Sequence, residues 1–145
     1  MKRLANYEEI LKKNSYKLTS QRKEILNLML DENNKYLSCE EIYEIIKKNN
    51  IDIGLATVYR TIQVFEKIGI VNKFYLDNSS FRYELVKDDK MHNMHHIICE
   101  KCSKIDEIEE DLLENLEKVV IEKYKFKIKN HNLNFIGLCF ECSNK

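Results

Sequence analysis

The cysteines are the residues with the clearest chemical capacity. Four of the five form two CxxC pairs, Cys99 with Cys102 and Cys139 with Cys142. Each pair makes a tight turn, and two such turns can surround one Zn²⁺ with four thiolates in a tetrahedron. Two disulfides would require an oxidising compartment, and a CxxC pair can also be redox-active. Two pairs in a chain without a recognisable signal peptide favour a structural zinc site.

Imidazoles and carboxylates form a second group of candidate ligands. All four histidines fall in the second half of the chain: His92, His95, His96 and His131. If residues 92–99 form a strand, His92 and His96 lie on one face and His95 lies on the other. Three carboxylates occur nearby in the sequence: Glu84, Glu107 and Glu114. Such mixed ligation suits Fe²⁺, Mn²⁺ or Zn²⁺, and the alternative is a polar hinge with incidental histidines.

The part of the chain that precedes these ligands is predicted to be helical. Thr19 is a suitable N-cap for the apolar stripe that follows it. Ser38 and Glu41 have capping-box spacing, which predicts a helix from about Ser38 to Lys48. Cys39 falls in the first turn of that helix, where we expect a small buried side chain, with redox sensing as the alternative.

A third helix and a hairpin complete this part. Apolar residues recur at helical spacing over 55–68, and Gly69 follows where a helix commonly ends. The segments VNKFYL and FRYEL flank a four-residue turn, 77–80, which predicts a β-hairpin. Three helices followed by a hairpin predict a winged helix-turn-helix, with 55–68 as its recognition helix.

The recognition helix has a polar face that suits DNA. Arginine can bond guanine in the major groove, and threonine or tyrosine can contact a thymine methyl group or a phosphate. One exposed arginine is weak evidence, but its place in a helix-helix-helix-hairpin series beside other basic residues favours a DNA-reading face. The candidate contacts on this face and near it are Lys17, Arg22, Thr57, Tyr59 and Arg60.

The second part of the chain predicts a small α/β domain. Its pattern is strand, strand, helix, strand, strand, with the helix at 111–124 and alternating apolar residues after it at 126–135. A sheet this small is stabilised when it associates with the same sheet of a second copy across a two-fold axis, so we expect a homodimer. A polar stretch at 86–91 separates the parts, which gives an α+β chain with a DNA-binding domain at 1–86 and a zinc-stabilised dimerisation domain at 87–145.

Composition excludes several classes of protein. The chain has 145 residues, 24 basic and 24 acidic side chains, and 43% hydrophobic residues, which is typical of a globular protein rather than a disordered one. No apolar run approaches the roughly 18 residues that a membrane span needs. We therefore expect a cytoplasmic protein without a membrane segment, although its balanced charge does not by itself indicate nucleic acid.

Four segments resemble one known family. GLATVYRTIQVFEKIGIV (54–71), FRYEL (81–85), HHIICEKCSKIDEIEEDL (95–112) and HNLNFIGLCFEC (131–142) are similar to the ferric uptake regulator family, most of all to its iron-responsive branch in Gram-positive bacteria. The resemblance implies a dimeric winged-helix repressor that binds an AT-rich palindrome when loaded with metal. It also implies that the four paired cysteines hold structural zinc and that Lys17, Tyr59 and Arg60 contact DNA.

The resemblance is incomplete at the regulatory metal sites. The family's interdomain site maps to Tyr36, Glu84, Met94, His96 and Glu107, so a phenol and a thioether replace two imidazoles. His92 precedes Met94 by two residues on the same predicted face and is a candidate substitute. A second family site maps to Asn93, His95, Glu114 and His131. Our hypothesis is that the second site is the better occupied one.

These observations predict an Fe²⁺-dependent repressor that is not an enzyme. Zinc sensing stays possible, and peroxide sensing ranks lower because that branch usually has aspartate where Glu107 stands. A zinc hydrolase is a different class, but the chain lacks an HExxH helix. A DNA-binding module that no longer depends on metal is a third class. The replacement of two interdomain ligands by Tyr36 and Met94 keeps this alternative open.

Overall fold

A computed structural model of the chain describes residues 2–76, 80–86, 95–108, 112–129, 131 and 133–144. The chain divides into two compact units, Met1–Val86 and Lys87–Lys145. Most of the predicted hinge, residues 87–91, lies outside the described residues.

The first unit begins with helices that enclose an apolar core. Its α-helices are α1 (Lys2–Lys13), α2 (Ser20–Leu30), α3 (Cys39–Lys48) and α4 (Leu55–Lys67), with a 3₁₀ turn at Glu32–Asn34. Helix α1 was not predicted from the sequence, although Tyr7 and Leu11 have helical spacing and are both buried. No helix in the described part of the chain is long and apolar enough to cross a membrane.

The predicted helix boundaries are confirmed where a local signal defines them. Thr19 accepts a hydrogen bond from the backbone N–H of Arg22 at the start of α2. Ser38 and Glu41 form the reciprocal capping box at the start of α3, with N···O distances of 3.0 and 3.1 Å. Gly69 has a φ of +85°, the left-handed conformation that glycine adopts without a steric cost.

A two-stranded hairpin follows α4, the predicted recognition helix. Strands β1 (Val71–Tyr75) and β2 (Phe81–Leu85) pair antiparallel, so the unit is the predicted winged helix-turn-helix. Most of the predicted turn, 77–79, lies outside the described residues. Leu37 pairs with Tyr83 through two backbone hydrogen bonds of 3.1 and 2.8 Å, which attaches the wing to the chain just before α3.

The described residues of the second unit form a three-stranded sheet and two helices. Its elements are β3 (His95–Cys99), β4 (Ile105–Ile108), α5 (Glu114–Tyr124), β5 (Leu133–Gly137) and α6 (Phe140–Ser143). The strand order is β4-β3-β5, with β3 antiparallel to β4 and parallel to β5. The antiparallel pair needs only a short connection, whereas the parallel pair uses α5 as its crossover.

Two sequence-based expectations for this unit are wrong. A strand was expected around Phe126 and Ile128, but residues 125–129 form neither helix nor strand. Lys125 adopts a left-handed φ of 53° that ends α5, and residues 126–129 make no strand pairing in the described sheet. The later part of the alternating segment does form a strand, because Leu133 and Phe135 lie in β5. The helix itself begins at Glu114 rather than at residue 111, which lies outside the described residues.

The second unit has little apolar core of its own. Within the described ranges, only Ile98 and Cys99 of this unit are buried apolar residues. Large apolar side chains on α5, on β5 and near the second CxxC pair are exposed instead: Leu116, Val119, Ile121, Tyr124, Phe135, Ile136, Leu138 and Phe140. Several exposed large apolar side chains in so small a unit are typical of an interaction face.

Candidate metal centres and DNA-binding surface

The four paired cysteines come together in the second unit. Their sulfur atoms all lie within 4.8 Å of one another, in the set Cys99, Cys102, Cys139 and Cys142. The Sγ atoms of Cys102 and Cys139 are 3.8 Å apart. A tetrahedral zinc site with Zn–S bonds of about 2.3 Å has sulfur–sulfur edges of about 3.8 Å. All four are free thiols, so this donor set fits Zn²⁺ and not the alternative of two disulfides.

The sheet register brings the two CxxC turns together. Cys99 ends β3 and lies opposite Gly137 of the parallel strand β5, so the chain leaves both strands at the same edge. The first turn is closed by a 2.9 Å hydrogen bond from the backbone N–H of Ser103, which has a left-handed φ of 64°, to the carbonyl of Cys99. In the second turn, Cys139 is the N-cap of α6 and Cys142 lies within that helix.

The surroundings of the sulfur atoms favour a bound cation. Hydrogen bonds from the backbone N–H groups of Cys102 and Cys139 lower the pKa of the Cys99 thiol to about 6. Hydrogen bonding with Cys139, followed by desolvation, raises the pKa of Cys142 to about 12. Thus one thiolate forms readily while a neighbouring thiol resists the loss of its proton. A divalent ion removes this conflict because it stabilises all four thiolates together.

His96 and Glu107 face each other across two strands. They are direct partners in the antiparallel pairing of β3 with β4, so their side chains lie on the same face of the sheet. His95 lies on the opposite face, as the period of a strand predicts. Both histidines are buried, with exposed fractions of 0% for His95 and 1% for His96. One strand therefore presents an imidazole to each side of the sheet.

On the opposite face, His95 lies next to a second imidazole. The rings of His95 and His131 are stacked, with centroids 5.1 Å apart and an angle of 25° between their planes. Nδ1 of His131 also contacts Oε1 of Glu117 on α5. Two imidazoles and a carboxylate are the ligand types that Fe²⁺, Mn²⁺ and Zn²⁺ accept.

The acid beside His131 differs from the one that the family motif assigns to this site. Glu114 is exposed, and its Oε1 atom lies 3.7 Å from Nζ of Lys118 on the same helix. Glu117 is three residues further along α5, and its side chain is 26% exposed compared with 65% for Glu114. Residues three apart on a helix share a side, so helical spacing could have suggested Glu117, whereas the family motif indicated Glu114.

The remaining predicted regulatory ligands lie in other parts of the chain. Glu84 is buried on β2 of the first unit, where it pairs with Asn72. Tyr36 lies before α3 and packs edge-on against the buried ring of Phe74 on β1, with ring centroids 5.4 Å apart. Its ring therefore packs against the wing. His92, Asn93 and Met94 lie outside the described residues.

One cleft in the first unit is lined by three of the five predicted DNA contacts, Arg22, Thr57 and Arg60. This cleft of about 310 Å³ lies between α2 and α4 and is lined by Thr19, Gln21, Arg22, Thr57, Arg60, Thr61 and Val64. Nη2 of Arg60 donates a hydrogen bond of 3.2 Å to Oγ1 of Thr57, which directs the guanidinium along the exposed face of α4. Arg22 donates a hydrogen bond of 2.7 Å to the carbonyl of Lys17 and lies over the ring of Tyr16. Two arginines therefore border one cleft.

The tyrosine of the recognition helix has an acidic partner. The Tyr59 hydroxyl donates a hydrogen bond to Oε1 of Glu40, which is in the first turn of α3. This bond holds the pKa of the Glu40 carboxyl below its usual range and raises the pKa of Tyr59 to about 12. Glu40 was not predicted from the sequence, because no local pattern links residues that are nineteen positions apart.

Comparison with known proteins agrees with these features. Residues 13–136 match the model of the ferric uptake regulator family. The chain is 40% identical over 143 residues to the ferric uptake regulation protein of Bacillus subtilis, which covers 99% of this chain and 96% of that protein.

Solved structures of similar proteins share the fold. The iron-containing structure of the ferric uptake regulator from Francisella tularensis has a TM-score of 0.74 and 34% identity, covering 88% of this chain and 95% of that one. The Helicobacter pylori ferric uptake regulator, described as having three functional metal-binding sites, has a TM-score of 0.75 and 29% identity, covering 98% of this chain and 92% of that one. With the family match spanning both units, the chain belongs to the ferric uptake regulator family.

Proposed function

We propose that this chain is a repressor whose binding to DNA depends on ferrous iron. Its family makes it a metal-responsive transcriptional regulator, and the observation that carries the proposal is the match over residues 13–136. This range includes the proposed recognition helix, the proposed regulatory ligands and the first CxxC pair. Mn²⁺ or Zn²⁺ could act in place of Fe²⁺ on the same ligand types. In this proposal the protein acts in the cytoplasm as a homodimer and catalyses no reaction.

The first unit supplies the contacts to DNA in this proposal. Lys17 and Arg22 neutralise phosphates, which fixes the register of the protein on the duplex. Thr57, Tyr59 and Arg60 reach base edges in the major groove from the exposed side of α4. The operator is an AT-rich palindrome whose half-sites are separated by about 34 Å or a multiple of the helical turn, because a two-fold dimer presents two recognition helices.

The second unit supplies the dimer interface and the metal sites. The apolar side chains exposed on α5 and β5 would form an isologous interface, because large apolar side chains on two elements of one small unit are favourably buried against a second copy. The four paired cysteines hold a structural zinc ion that keeps the end of the sheet in place.

We infer that the regulatory ion is held mainly by His95 and His131 with a carboxylate of α5. The contact of His131 with Glu117 supports Glu117 as that carboxylate, although the family motif maps to Glu114. When bound, the ion supplies positive charge that ties imidazole and carboxylate ligands together. A ligand can shift an equilibrium only by binding one state better than the other, so metal affinity and operator affinity must rise together.

A weaker site forms the second part of this proposal. It uses His96 and Glu107, which share a face of the sheet, and the family motif adds Glu84 and, as a substitute ligand, His92. Tyr36 occupies the position of a family histidine, and its packing against Phe74 supports a structural rather than a ligating role.

Metal titration of two single variants tests the ranking of the sites. Protein purified without oxygen is titrated with Fe²⁺ or Mn²⁺, and we expect His95→Ala to lose more affinity than His96→Ala. A larger loss for His96→Ala would refute the ranking. Binding of the same samples to DNA selected from a random pool is then measured with and without metal, and we expect operator affinity to fall in parallel with metal affinity.

A second candidate is a DNA-binding regulator that no longer depends on metal. The packing of Tyr36 against Phe74 favours it, because one of the family's ligand positions has acquired another use. Chelator distinguishes the two candidates: operator binding that persists unchanged in chelator would support this second function, provided that the structural zinc is retained.

A further inference from the structure

Glu40 carries a negative charge on the surface where the proposed function requires DNA to bind. It lies in the first turn of α3 and is exposed, and it accepts a hydrogen bond from the hydroxyl of Tyr59, which is 38% exposed on the recognition helix. Arg60, the next residue, is a proposed base contact. A carboxylate at this place repels phosphate, so its presence calls for a compensating role.

The bond to Glu40 uses the only proton of the Tyr59 hydroxyl. Hydrogen bonding lowers the pKa of Glu40 and raises that of Tyr59 to about 12, so near neutral pH the carboxylate is charged and the phenol keeps its proton. A hydroxyl that donates to Glu40 cannot also donate to a phosphate. The ring edge of Tyr59 is still available for apolar contact with a base, such as a thymine methyl group.

The turn that carries Glu40 is firmly held. In the capping box, the Ser38 side chain accepts a hydrogen bond from the backbone N–H of Glu41, and the Glu41 side chain accepts one from the backbone N–H of Ser38. Glu41 also forms an ion pair of 2.8 Å with Nε of Arg82 on the wing strand β2. The first turn of α3 therefore contacts both elements that face DNA in a winged helix, the recognition helix through Glu40 and the wing through Glu41.

We propose that Glu40 is a positioning residue for DNA recognition, which holds the Tyr59 hydroxyl so that the tyrosine ring faces base edges and makes no phosphate contact. The inference rests on the proposed DNA-binding function. Phosphate contacts carry no sequence information, whereas base contacts do. Glu40 thus lowers affinity for DNA in general and raises the preference for the operator.

The test measures a specificity ratio, which a simple charge effect would not change. The dimer, saturated with zinc and Mn²⁺, is titrated against a duplex selected by the wild-type protein from a random pool and against an unrelated duplex of equal length. The ratio of the two dissociation constants is compared for Glu40→Ala, Glu40→Gln, Tyr59→Phe and the double variant Glu40→Ala/Tyr59→Phe. Glu44→Ala is the matched control, because it removes the same charge one turn further along α3.

We expect Glu40→Ala to lower the ratio about three- to tenfold, the range for one net hydrogen bond, and to bind the unrelated duplex more tightly. Glu40→Gln keeps an acceptor oxygen and should preserve the ratio within about twofold. Tyr59→Phe should lower the ratio, and Glu40→Ala should then add no further loss. Glu44→Ala should leave the ratio unchanged.

Two results would overturn the inference. One is an equal gain in affinity for both duplexes in Glu40→Ala and Glu44→Ala, which would make Glu40 only a negative charge. The other is a loss in the double variant that equals the product of the single losses. If the wild-type protein itself selects no duplex, the DNA-binding function fails together with the inference, and this outcome is distinct from the other two.

Discussion

Loss of the structural zinc should unfold the second unit and leave the first unit folded. In the described part of the second unit, Ile98 and Cys99 are the only buried apolar residues, whereas the first unit buries large side chains from all four of its helices and from the wing. One buried isoleucine contributes about 1.5–3 kcal/mol, and a structural zinc site contributes about 10–16 kcal/mol of apparent folding free energy. The ion therefore stabilises the second unit several-fold more than its buried isoleucine does.

The variant Cys102→Ser isolates this effect. Its side chain is exposed, so the substitution removes a ligand with little loss of packing. Zinc content, thermal unfolding and amide hydrogen exchange are measured on the full chain, and we expect less than one zinc per chain and loss of protection in β3 and β5. Cys39→Ala is the control, since it removes a buried thiol of the first unit and should retain zinc.

Slow amide exchange that persists in β3 and β5, either in Cys102→Ser or in the fully chelated wild-type protein, would refute this expectation. Such a result would mean that the dimer interface alone stabilises the sheet. Unfolding of both units together would also contradict it, because the core of the first unit contains none of the four zinc ligands.

Three further outcomes follow from single residues. Burial raises the pKa of Cys39 to about 11, so the stability that its neutral thiol contributes is complete below the unfolded pKa of about 8.5 and is lost as the pH rises through 11. The free energy of unfolding of the first unit, measured in urea, should therefore fall more between pH 8 and 10.5 in the wild-type protein than in Cys39→Ala. Glu117→Gln should weaken Mn²⁺ binding by about tenfold or more and Glu114→Gln by less than about twofold, and equal losses in a titration would exclude Glu117 as the preferred ligand. Gly69→Ala should lower the free energy of unfolding by about 1–2 kcal/mol in denaturant titration, because φ is +85° there, and an unchanged midpoint would show that the turn relaxes.

Local signals were sufficient to predict much of the first unit. Two helix caps were predictable, the capping box at Ser38 and Glu41 and the N-cap at Thr19. Each forms between residues within one turn of a helix, so neighbouring residues in the sequence determine whether it forms. The same holds for Gly69, whose missing side chain permits the left-handed conformation at the end of α4.

Features that depend on distant partners were not predictable in the same way. Phe126 and Ile128 alternate with lysine as a strand would, but a strand also needs a neighbour with free hydrogen-bonding groups, and sequence alternation does not supply one. Glu117 and Glu114 are both acids on α5, and the phase of that helix against His131 decides between them. The bond between Glu40 and Tyr59 joins two helices, so it exists only once α3 and α4 are packed.

The contrast between the units indicates where a bound metal would act in the proposed function. The first unit has an apolar core to which its helices contribute. On its proposed DNA-binding surface, the described residues are held by helix caps and by ion pairs such as that of Arg82 with Glu41. An ion is therefore not needed to fold the recognition helix. The described part of the second unit buries few apolar residues, and it buries two proposed metal ligands, His95 and His96, on opposite faces of one strand. In the proposed function, a bound metal would therefore act on the stability of the second unit and not on the folding of the recognition helix.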